Sequence, residues 1–211
     1  PKLKMVGRSG VGVDSIDLAA ATELGICATN TPGINTSEVA DHAMAMLLSI
    51  TRKVPEQNAV LKAGAWSDRP AEVDALRGQL RRIAGNTVGI FGLGGIGKGF
   101  ANRVRGFGPE KIIAYDPYVP QTAADLVGVQ MVDFDTLLAE SDYLTVHSPA
   151  TVETNEIFNI DAFRKMKPTS VFINCARGPI VDEGGLQEAL ETGVIYAAGI
   201  DVTQIEPLDA E

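Results

Sequence analysis

The stretch TVGIFGLGGIG, residues 87–97, joins an apolar run to a glycine-rich turn. The run 87–94 lacks the polar alternation of a half-exposed strand, which is typical of a strand buried on both faces of a parallel sheet. Apolar residues then recur at helical spacing through residues 95–108. The stretch therefore predicts a strand, a tight turn and a helix, the unit from which α/β folds are built.

Three glycines in this turn, Gly92, Gly94 and Gly97, have the spacing G-x-G-x-x-G. In dinucleotide-binding folds the first permits the tight turn, the second lets the backbone approach a pyrophosphate, and the third lets the helix pack on the strand. The spacing alone is also typical of a close-packed turn that binds nothing. The next predicted strand ends at Asp116, 19 residues after Gly97, where an acid would bind the ribose 2′-hydroxyl. Its carboxylate would repel a 2′-phosphate, so we expect NAD rather than NADP as the cofactor.

Apolar runs alternate with amphipathic stretches along most of the chain. Besides 87–94, the predicted strands cover residues 4–8, 26–30, 111–116, 129–132, 143–148, 170–176 and 196–202. Strands separated by helices indicate a parallel sheet covered on both faces, so we predict an α/β protein with a Rossmann-type doubly wound parallel sheet. Asn35 with Glu38 resembles a capping box that opens an apolar helix. Pro55 should kink or end that helix, and Asp182 should cap a later one.

Composition and charge narrow the range of partners. The chain has 211 residues, of which 45% are hydrophobic, and a net charge of −9. It contains no long run of like charges, so nucleic acid and anionic membranes are poor partners. No apolar stretch is long enough to cross a membrane and no signal-peptide pattern opens the chain, so we expect a cytoplasmic protein. Cys27 and Cys175 lie in apolar runs without metal-ligand spacing, so we expect two buried thiols in a reducing compartment and no metal site.

Seven motifs carry a family resemblance, and they occur in the family's order. They are GRSGVGVDSIDLAAATELGICATNTPG, SEVADHAMAMLL, GIFGLGGIG, YDP, VHSPATVETN, INCARGPIVDE, and GIDV followed by EP. On these motifs the chain resembles the D-isomer-specific 2-hydroxyacid dehydrogenases, and it is most similar to their D-3-phosphoglycerate dehydrogenase branch. The resemblance implies an NAD-dependent oxidoreductase that transfers a hydride between nicotinamide and a D-2-hydroxy acid or 2-oxo acid.

The same resemblance implies two α/β lobes, with the NAD-binding lobe inserted within a flavodoxin-like substrate lobe. Residues 1–34 would be the C-terminal remnant of the first substrate-lobe segment, and residues 35–211 would form a Rossmann domain that is incomplete at its C-terminal end. Both ends look cut, so we expect a fragment truncated at both ends. The family commonly forms homodimers through the NAD-binding lobe, and the apolar residues 44–50 suit either such an interface or the core of one subunit.

The family's catalytic set is an arginine, a glutamate and a histidine, and the chain matches the first two. Arg177, in the turn ARG, would hold the substrate carboxylate and polarise the adjacent carbonyl with its planar guanidinium. Glu206, in the EP motif, would hydrogen-bond the histidine and raise its pKa. Outside this context, such residues are usually only surface residues. The expected histidine would follow Glu211, and His42 and His147 belong to other motifs, so we expect little or no turnover from the 211 residues alone.

The resemblance also implies cofactor and substrate contacts. The expected cofactor-binding residues are Gly92, Leu93, Gly94, Gly95, Ile96, Gly97, Asp116, Pro117, His147, Ser148, Pro149, Thr154, Cys175, Ala176, Arg177 and Asp201. The expected substrate-binding residues are Ser9, Gly10, Val11, Gly12 and Arg177, with the loop contributing backbone N–H groups. Gly95 stands where the family usually has an arginine, which removes one contact to a phosphate.

Two other functions fit the same fold. An NAD-sensing binding or scaffold protein would have no need of Arg177 and Glu206, so the presence of both favours an enzyme. A formate- or phosphite-type dehydrogenase would share the fold, but the serine-containing loop GRSGVGVD is more similar to the hydroxyacid branch.

Overall fold

The computed structural model describes residues 2–208, so the expected domain ends at residues 1 and 211 lie outside the described part. The strands are β1 (Met5–Gly7), β2 (Cys27–Thr29), β3 (Thr87–Phe91), β4 (Lys111–Tyr115), β5 (Gln130–Met131), β6 (Tyr143–Val146), β7 (Val171–Asn174) and β8 (Ala197–Ile200). The α-helices are α1 (Leu18–Glu23), α2 (Thr36–Arg52), α3 (Val54–Lys62), α4 (Ala65–Asp68), α5 (Pro70–Gly78), α6 (Gly95–Val104), α7 (Gln121–Asp125), α8 (Phe134–Glu140), α9 (Ile160–Arg164) and α10 (Glu183–Glu191).

Strands β3 to β8 form one parallel sheet in the order β5-β4-β3-β6-β7-β8. This is the 3-2-1-4-5-6 order of dinucleotide-binding folds, so the predicted Rossmann-type sheet is confirmed. Every residue of β3, β6 and β7 is buried, as expected for strands covered on both faces. The chain leaves β3 towards β4 on one side and later returns to β6 on the other. This reversal opens a crevice at the carboxyl ends of β3 and β6.

Helices cover both faces of the large sheet, and each face has its own core. Helices α2 and α6 pack on one face through buried side chains such as Leu47 and Phe100. Helices α8 and α9 pack on the other through side chains such as Leu138 and Phe163. Burying one such side chain fully contributes about 1.5–3 kcal/mol. The two cores therefore make the sheet a firm support for the loops at its carboxyl edge.

Residues before α2 form a separate small sheet. Strands β1 and β2 pair in parallel, with Met5 opposite Cys27. The prediction that Cys27 is a buried thiol is wrong, because this residue is exposed. Side chains alternate between the two faces of a strand, so Cys27 points to the same side as the exposed Thr29 and away from the half-buried Ala28.

Three predicted helix boundaries can be compared with the structure. Helix α2 ends before Lys53, whose backbone is left-handed (φ 54°), and therefore before Pro55, as predicted. Asp182 caps α10 by accepting a hydrogen bond from the Gly184 N–H (3.1 Å), also as predicted. The prediction of a capping box at Asn35 is wrong, since the Asn35 side chain makes no capping hydrogen bond within the described residues. Its ψ of 20° departs from the extended backbone that directs a cap side chain at the helix N–H groups.

Helices α3 to α5 lie apart from the two cores. Residues 64–86 contain α4 and α5. Neither α3 nor α5 has a buried residue within the described chain. No helix in residues 2–208 has both the length and the apolar character that a membrane crossing requires.

Candidate functional site

The glycine turn after β3 is closely packed at its base. Gly92 has a φ of 91°, and a methyl group there would lie 2.8 Å from the Ser148 nitrogen. A methyl group at Gly97 would overlap the Gly92 carbonyl oxygen, because α6 packs directly on the turn. Both positions therefore require glycine. The ends of β3 and β6 and the start of α6 are held together in one compact turn.

The same turn is open at its tip. A methyl group at Gly94 would have no atom of residues 2–208 within 4 Å. Helix α6 begins at Gly95, and the Lys98 N–H donates to the Gly94 carbonyl (3.0 Å) in the first intrahelical hydrogen bond. The N–H groups before Lys98 therefore point out of the helix N-terminus, together with the positive end of its dipole. An open helix N-terminus above a glycine with free space around it fits a pyrophosphate.

Asp116, at the end of β4, is fixed beside this turn. One carboxylate oxygen accepts from the Leu93 N–H (2.9 Å), and the other accepts from the Tyr118 N–H (2.9 Å). A carboxylate has further lone pairs, so it can still accept hydrogen bonds from a ribose diol. Pro117 and Tyr118 are exposed and carry no positive charge that could pair with a 2′-phosphate. The residues present therefore fit NAD.

His147 follows β6 on the wall of the crevice. Its backbone N–H donates to the Phe91 carbonyl (2.7 Å), and its Nε2 lies 3.1 Å from the Thr145 hydroxyl. Its Nδ1 is buried and has no hydrogen-bond partner within the described chain. Burial lowers the pKa of His147 to about 3, so the ring is neutral at neutral pH. His147 is therefore a wall of the crevice and not a proton donor.

The loop after His147 turns back on itself. The Thr154 hydroxyl donates to the Pro149 carbonyl (2.8 Å), and the Ser148 hydroxyl donates to the same carbonyl (3.0 Å). The expected cofactor residues Ser148, Pro149 and Thr154 thus form one compact loop beside the glycine turn, since Ser148 is also the residue closest to Gly92.

The buried, neutral His147 predicts a stability that depends on pH. The pKa of this group is about 6.5 in the unfolded chain and about 3 in the folded chain. Between these values the unfolded state binds more protons, so the folded state loses stability as the pH falls. Lowering the pH from 7 to 5 should reduce the free energy of unfolding by about 2 kcal/mol, measured by urea titration at each pH.

The two histidines provide a matched pair of variants for this test. In His147→Gln most of the loss of stability between pH 7 and 5 should disappear, because the titrating group is gone. His42→Gln removes the other histidine of the chain, whose side chain is half exposed, and provides the comparison. A wild-type pH dependence in His147→Gln would contradict the prediction.

Arg177 follows β7 and is held from two sides. Its Nε donates to Asp14 Oδ2 (2.8 Å), and its Nη1 donates to the Ala176 carbonyl (2.6 Å). The buried side chain of Asn174 accepts from the Ala176 N–H (3.0 Å) and donates to the Arg177 carbonyl (2.9 Å). A guanidinium carries five N–H groups, so donors remain for a carboxylate.

Asp14 and Asn174 were not among the predicted site residues. Burial raises the pKa of Asp14, but the hydrogen bond and the charge of Arg177 outweigh this effect, so the pKa lies below its usual range. The carboxylate is thus charged and holds the guanidinium in place. Asn174 could have been found as a polar residue at the end of a buried strand, where it needs hydrogen-bond partners. No local pattern marks Asp14, because its partner is 163 residues away.

The predicted substrate loop, residues 9–12, meets Arg177. A methyl group on Gly12 would overlap Arg177 Nη2. The Gly10 N–H donates to the Thr31 hydroxyl (2.7 Å), which holds the loop against the segment that follows β2. The structure therefore brings the loop and the arginine together.

Glu206 lies in the loop after β8. Its Oε1 accepts from the Thr203 N–H (3.1 Å), and the residue is exposed. The loop packs on the arginine turn, since a methyl group at Gly178 would overlap the Thr203 carbonyl. Within residues 2–208 the structure brings this loop to the turn, but no hydrogen bond joins the Glu206 carboxylate to Arg177.

Cys175 and Asp201 border the same crevice at the ends of β7 and β8. The Asp201 N–H donates to the Asn174 carbonyl (3.0 Å) and so continues the pairing of the two strands. Asp201 Oδ1 lies 3.2 Å from Nε2 of His42 on α2. Burial, with a smaller contribution from the charge of Asp201, raises the pKa of the Cys175 thiol to about 12. Cys175 is therefore the buried thiol that the sequence predicts.

One family model matches most of the chain. It is described as "D-isomer specific 2-hydroxyacid dehydrogenase, NAD binding domain" and matches residues 44–211. The D-3-phosphoglycerate dehydrogenase of Archaeoglobus fulgidus is 44% identical over 205 residues, which cover 97% of this chain and 37% of that protein. The chain thus spans well under half the length of this curated relative.

Two solved structures share the fold. The holo form of Rhodotorula graminis D-mandelate dehydrogenase matches with a TM-score of 0.90 and 28% identity, over 99% of this chain and 61% of that one. The Aquifex aeolicus D-lactate dehydrogenase, complexed with NAD and lactic acid, matches with a TM-score of 0.86 and 30% identity, over 97% and 59%. These matches confirm the resemblance found in the sequence. The chain belongs to the D-isomer specific 2-hydroxyacid dehydrogenase family and contains its NAD binding domain.

Proposed function

We propose that the protein takes part in NAD-dependent hydride transfer between nicotinamide and a D-2-hydroxy acid or its 2-oxo acid. The observation that carries this proposal is the position of Arg177 at the carboxyl edge of the sheet. Its guanidinium is held by two hydrogen bonds and has further N–H groups that can bind an acid. The 44% identity to a D-3-phosphoglycerate dehydrogenase supports a substrate similar to 3-phosphoglycerate. An NAD-sensing scaffold and a formate or phosphite reaction are not favoured, because the relatives above are dehydrogenases of D-phosphoglycerate, D-mandelate and D-lactate.

The proposed cofactor contacts run along the carboxyl edge of the sheet. NAD, when bound, supplies a nicotinamide that accepts or donates the hydride. In this proposal residues 92–97 bind the pyrophosphate through the N-terminus of α6, and Asp116 binds the ribose hydroxyls. The adenosine side is lined by His147, Ser148, Pro149 and Thr154. The nicotinamide side is bordered by Cys175, Ala176 and Asp201, and Asp201 accepts from the carboxamide.

Arg177 has the role of orienting the acid. Its bonds to Asp14 and Ala176 fix the plane of the guanidinium. The remaining N–H groups can hold the carboxylate and draw electron density from the neighbouring carbonyl, while the N–H groups of loop 9–12 other than that of Gly10 bind the same carboxylate. Glu206 keeps its proposed role as the partner of a histidine acid. His147 is not that acid, because a ring with a pKa of about 3 is not in its protonated, imidazolium form at neutral pH.

The division of the chain into domains and the cellular location of the protein are part of the same proposal. We assign residues 1–34 to a substrate lobe and residues 35–211 to the NAD-binding lobe, which the separate sheet of β1 and β2 supports. The two cysteines are free thiols, which supports a reducing compartment, the cytoplasm.

Titration with NADH, followed by its fluorescence, tests the cofactor assignment. Wild type should bind NADH much more tightly than NADPH, because Asp116 repels a 2′-phosphate. Asp116→Asn should weaken NADH binding by about tenfold, since a charged acceptor becomes neutral, and should strengthen NADPH binding. The control Asp135→Asn removes an exposed acid that pairs with Lys165, the residue after α9, and should change neither affinity. Equal affinities of wild type for NADH and NADPH would refute the assignment.

A homodimer through the NAD-binding lobe is part of the proposal. Met44 and Leu47 are buried in the core of one subunit, which favours packing within the subunit for the apolar stretch 44–50. Helices α3 and α4 instead expose Val54, Leu61 and Trp66, and Trp66 is 62% exposed. Exposed apolar side chains gathered on one set of helices are typical of a protein interface. We therefore place the dimer contact on α3 to α5.

Light scattering after size exclusion tests the dimer. Wild type should have twice the 22.3 kDa mass of one chain. Leu61→Glu should give a monomer, because it places a charge in the proposed contact. Leu126→Glu, at an exposed leucine directly after α7, should remain a dimer. A monomeric wild type would contradict the proposal.

A further inference from the structure

Three metal-ligating side chains from separate elements meet at the carboxyl edge of the sheet. They are His42 on α2, Cys175 after β7 and Asp201 after β8, and their ligand atoms all lie within 4.8 Å of one another. His42 Nε2 and Asp201 Oδ1 are 3.2 Å apart. The Cys175 sulfur lies 3.4 Å from the Met46 sulfur, so the thiol side of the cluster is rich in soft donor atoms. We propose that His42, Cys175 and Asp201 form a Zn²⁺-binding site.

The donor atoms select the metal. One imidazole nitrogen, one thiolate sulfur and one carboxylate oxygen are all ligands that Zn²⁺ accepts. Mg²⁺ and Ca²⁺ prefer oxygen ligands only, and so the sulfur and nitrogen disfavour them. Three protein ligands leave the fourth tetrahedral position to a water molecule from the crevice.

The spacing of the three groups suits a tetrahedral ion after small movements. Bonds of about 2.0–2.3 Å to zinc separate ligand atoms by about 3.5 Å in a tetrahedron. The His42 and Asp201 side chains are 52% and 45% exposed, so both can rotate without disturbing the core. Cys175 is buried and supplies the fixed point of the site.

The three ligands also suit a dication in charge. When Zn²⁺ binds, the thiol proton leaves to solvent, so that two anionic ligands and one neutral imidazole hold the ion.

The site has a consequence for cofactor binding, which rests on the proposed function. Cys175 and Asp201 are the residues that we assign to the nicotinamide end of NAD. A metal ion on these side chains would occupy the space of the nicotinamide and would engage the carboxylate meant for the carboxamide. Zn²⁺ and NADH should therefore exclude each other.

Cobalt serves as the spectroscopic probe, because Co²⁺ replaces Zn²⁺ and gives an ultraviolet charge-transfer band with a thiolate. The purified protein should show this band with Co²⁺, and Zn²⁺ should remove it while Mg²⁺ should not. Cys175→Ser should lose the band. The matched variant Cys27→Ser removes the exposed thiol on β2 and should keep it. His42→Gln, at a half-exposed position, should bind Co²⁺ at least about tenfold more weakly and should unfold like wild type.

A band that survives in Cys175→Ser but disappears in Cys27→Ser would overturn the site, and so would the absence of any band in wild type. Adding NADH to the cobalt protein tests the competition. Loss of the band on NADH binding supports it, and a band that persists while NADH fluorescence shows binding overturns it. If NADH does not bind to the metal-free protein, the proposed function is wrong. The presence or absence of the cobalt band then still tests the metal site by itself.

Discussion

Gly97→Ala should lower the free energy of unfolding by about 2–4 kcal/mol, measured by urea titration with circular dichroism. Helix propensity alone would predict the opposite, because replacing glycine by alanine within a helix normally increases the stability by about 1 kcal/mol. The reason is steric. The new methyl group would overlap the Gly92 carbonyl oxygen, which belongs to backbone and cannot rotate away. Either α6 moves off the sheet or the turn opens, and each change disturbs the core around Phe100.

Gly94→Ala is the matched control for this variant. Its φ of −71° suits alanine, and no atom of residues 2–208 lies within 4 Å of the added methyl group. Its free energy of unfolding should stay within about 0.5 kcal/mol of wild type. NADH affinity should nevertheless fall by about tenfold or more, because the methyl group enters the space proposed for the pyrophosphate. A Gly97→Ala protein as stable as wild type would show that the turn is not packed as described.

Arg177→Gln should weaken binding of a 2-oxo acid analogue by about 100-fold or more, with a much smaller change in NADH affinity. Oxalate, titrated into the NADH complex and followed by NADH fluorescence, measures this without requiring turnover. Glutamine is polar but has no charge and no fork of donors, so it can neither pair with a carboxylate nor polarise a carbonyl. Arg177→Lys should lie in between, because it keeps the charge and loses the bidentate geometry.

A second arginine provides the control for that measurement. Arg164 is an exposed arginine on α9 that pairs with Asp161 and Glu188. Arg164→Gln removes the same charge far from the crevice and should leave oxalate binding unchanged. If Arg177→Gln binds oxalate as tightly as wild type, the assignment of the substrate carboxylate to Arg177 is wrong. NADH binding would then remain as a separate result that the glycine turn explains.

The strand, the glycine turn and Asp116 could be predicted because each depends on short-range rules. A run buried on both faces, a turn with positive φ at Gly92 and an acid at the end of the next strand all leave marks within a few residues. The cap at Asp182 is predictable for the same reason. The capping box at Asn35 is a local rule that failed, because the backbone entering α2 has a ψ of 20°.

The exposure of a single residue was harder to predict than the strands and helices themselves. Cys27 and Cys175 have similar apolar neighbours in the sequence, yet one is exposed and the other buried. The difference comes from the layers around each strand: β7 is covered by helices on both faces, whereas β2 belongs to a two-stranded sheet with one exposed side. Layering of this kind is decided by segments far away in the chain.

The sequence by itself determined the fold class, the glycine turn, NAD as the cofactor and the family, because periodicity and motif spacing are properties of neighbouring residues. Only the tertiary structure decided which side chains meet at the carboxyl edge of the sheet. Asp14 reaches Arg177 across 163 residues of chain, and His42 reaches Asp201 across 159. Parallel strands bring their carboxyl ends to one edge irrespective of sequence distance. The contacts made there depend on strand order and helix packing, which no local pattern encodes.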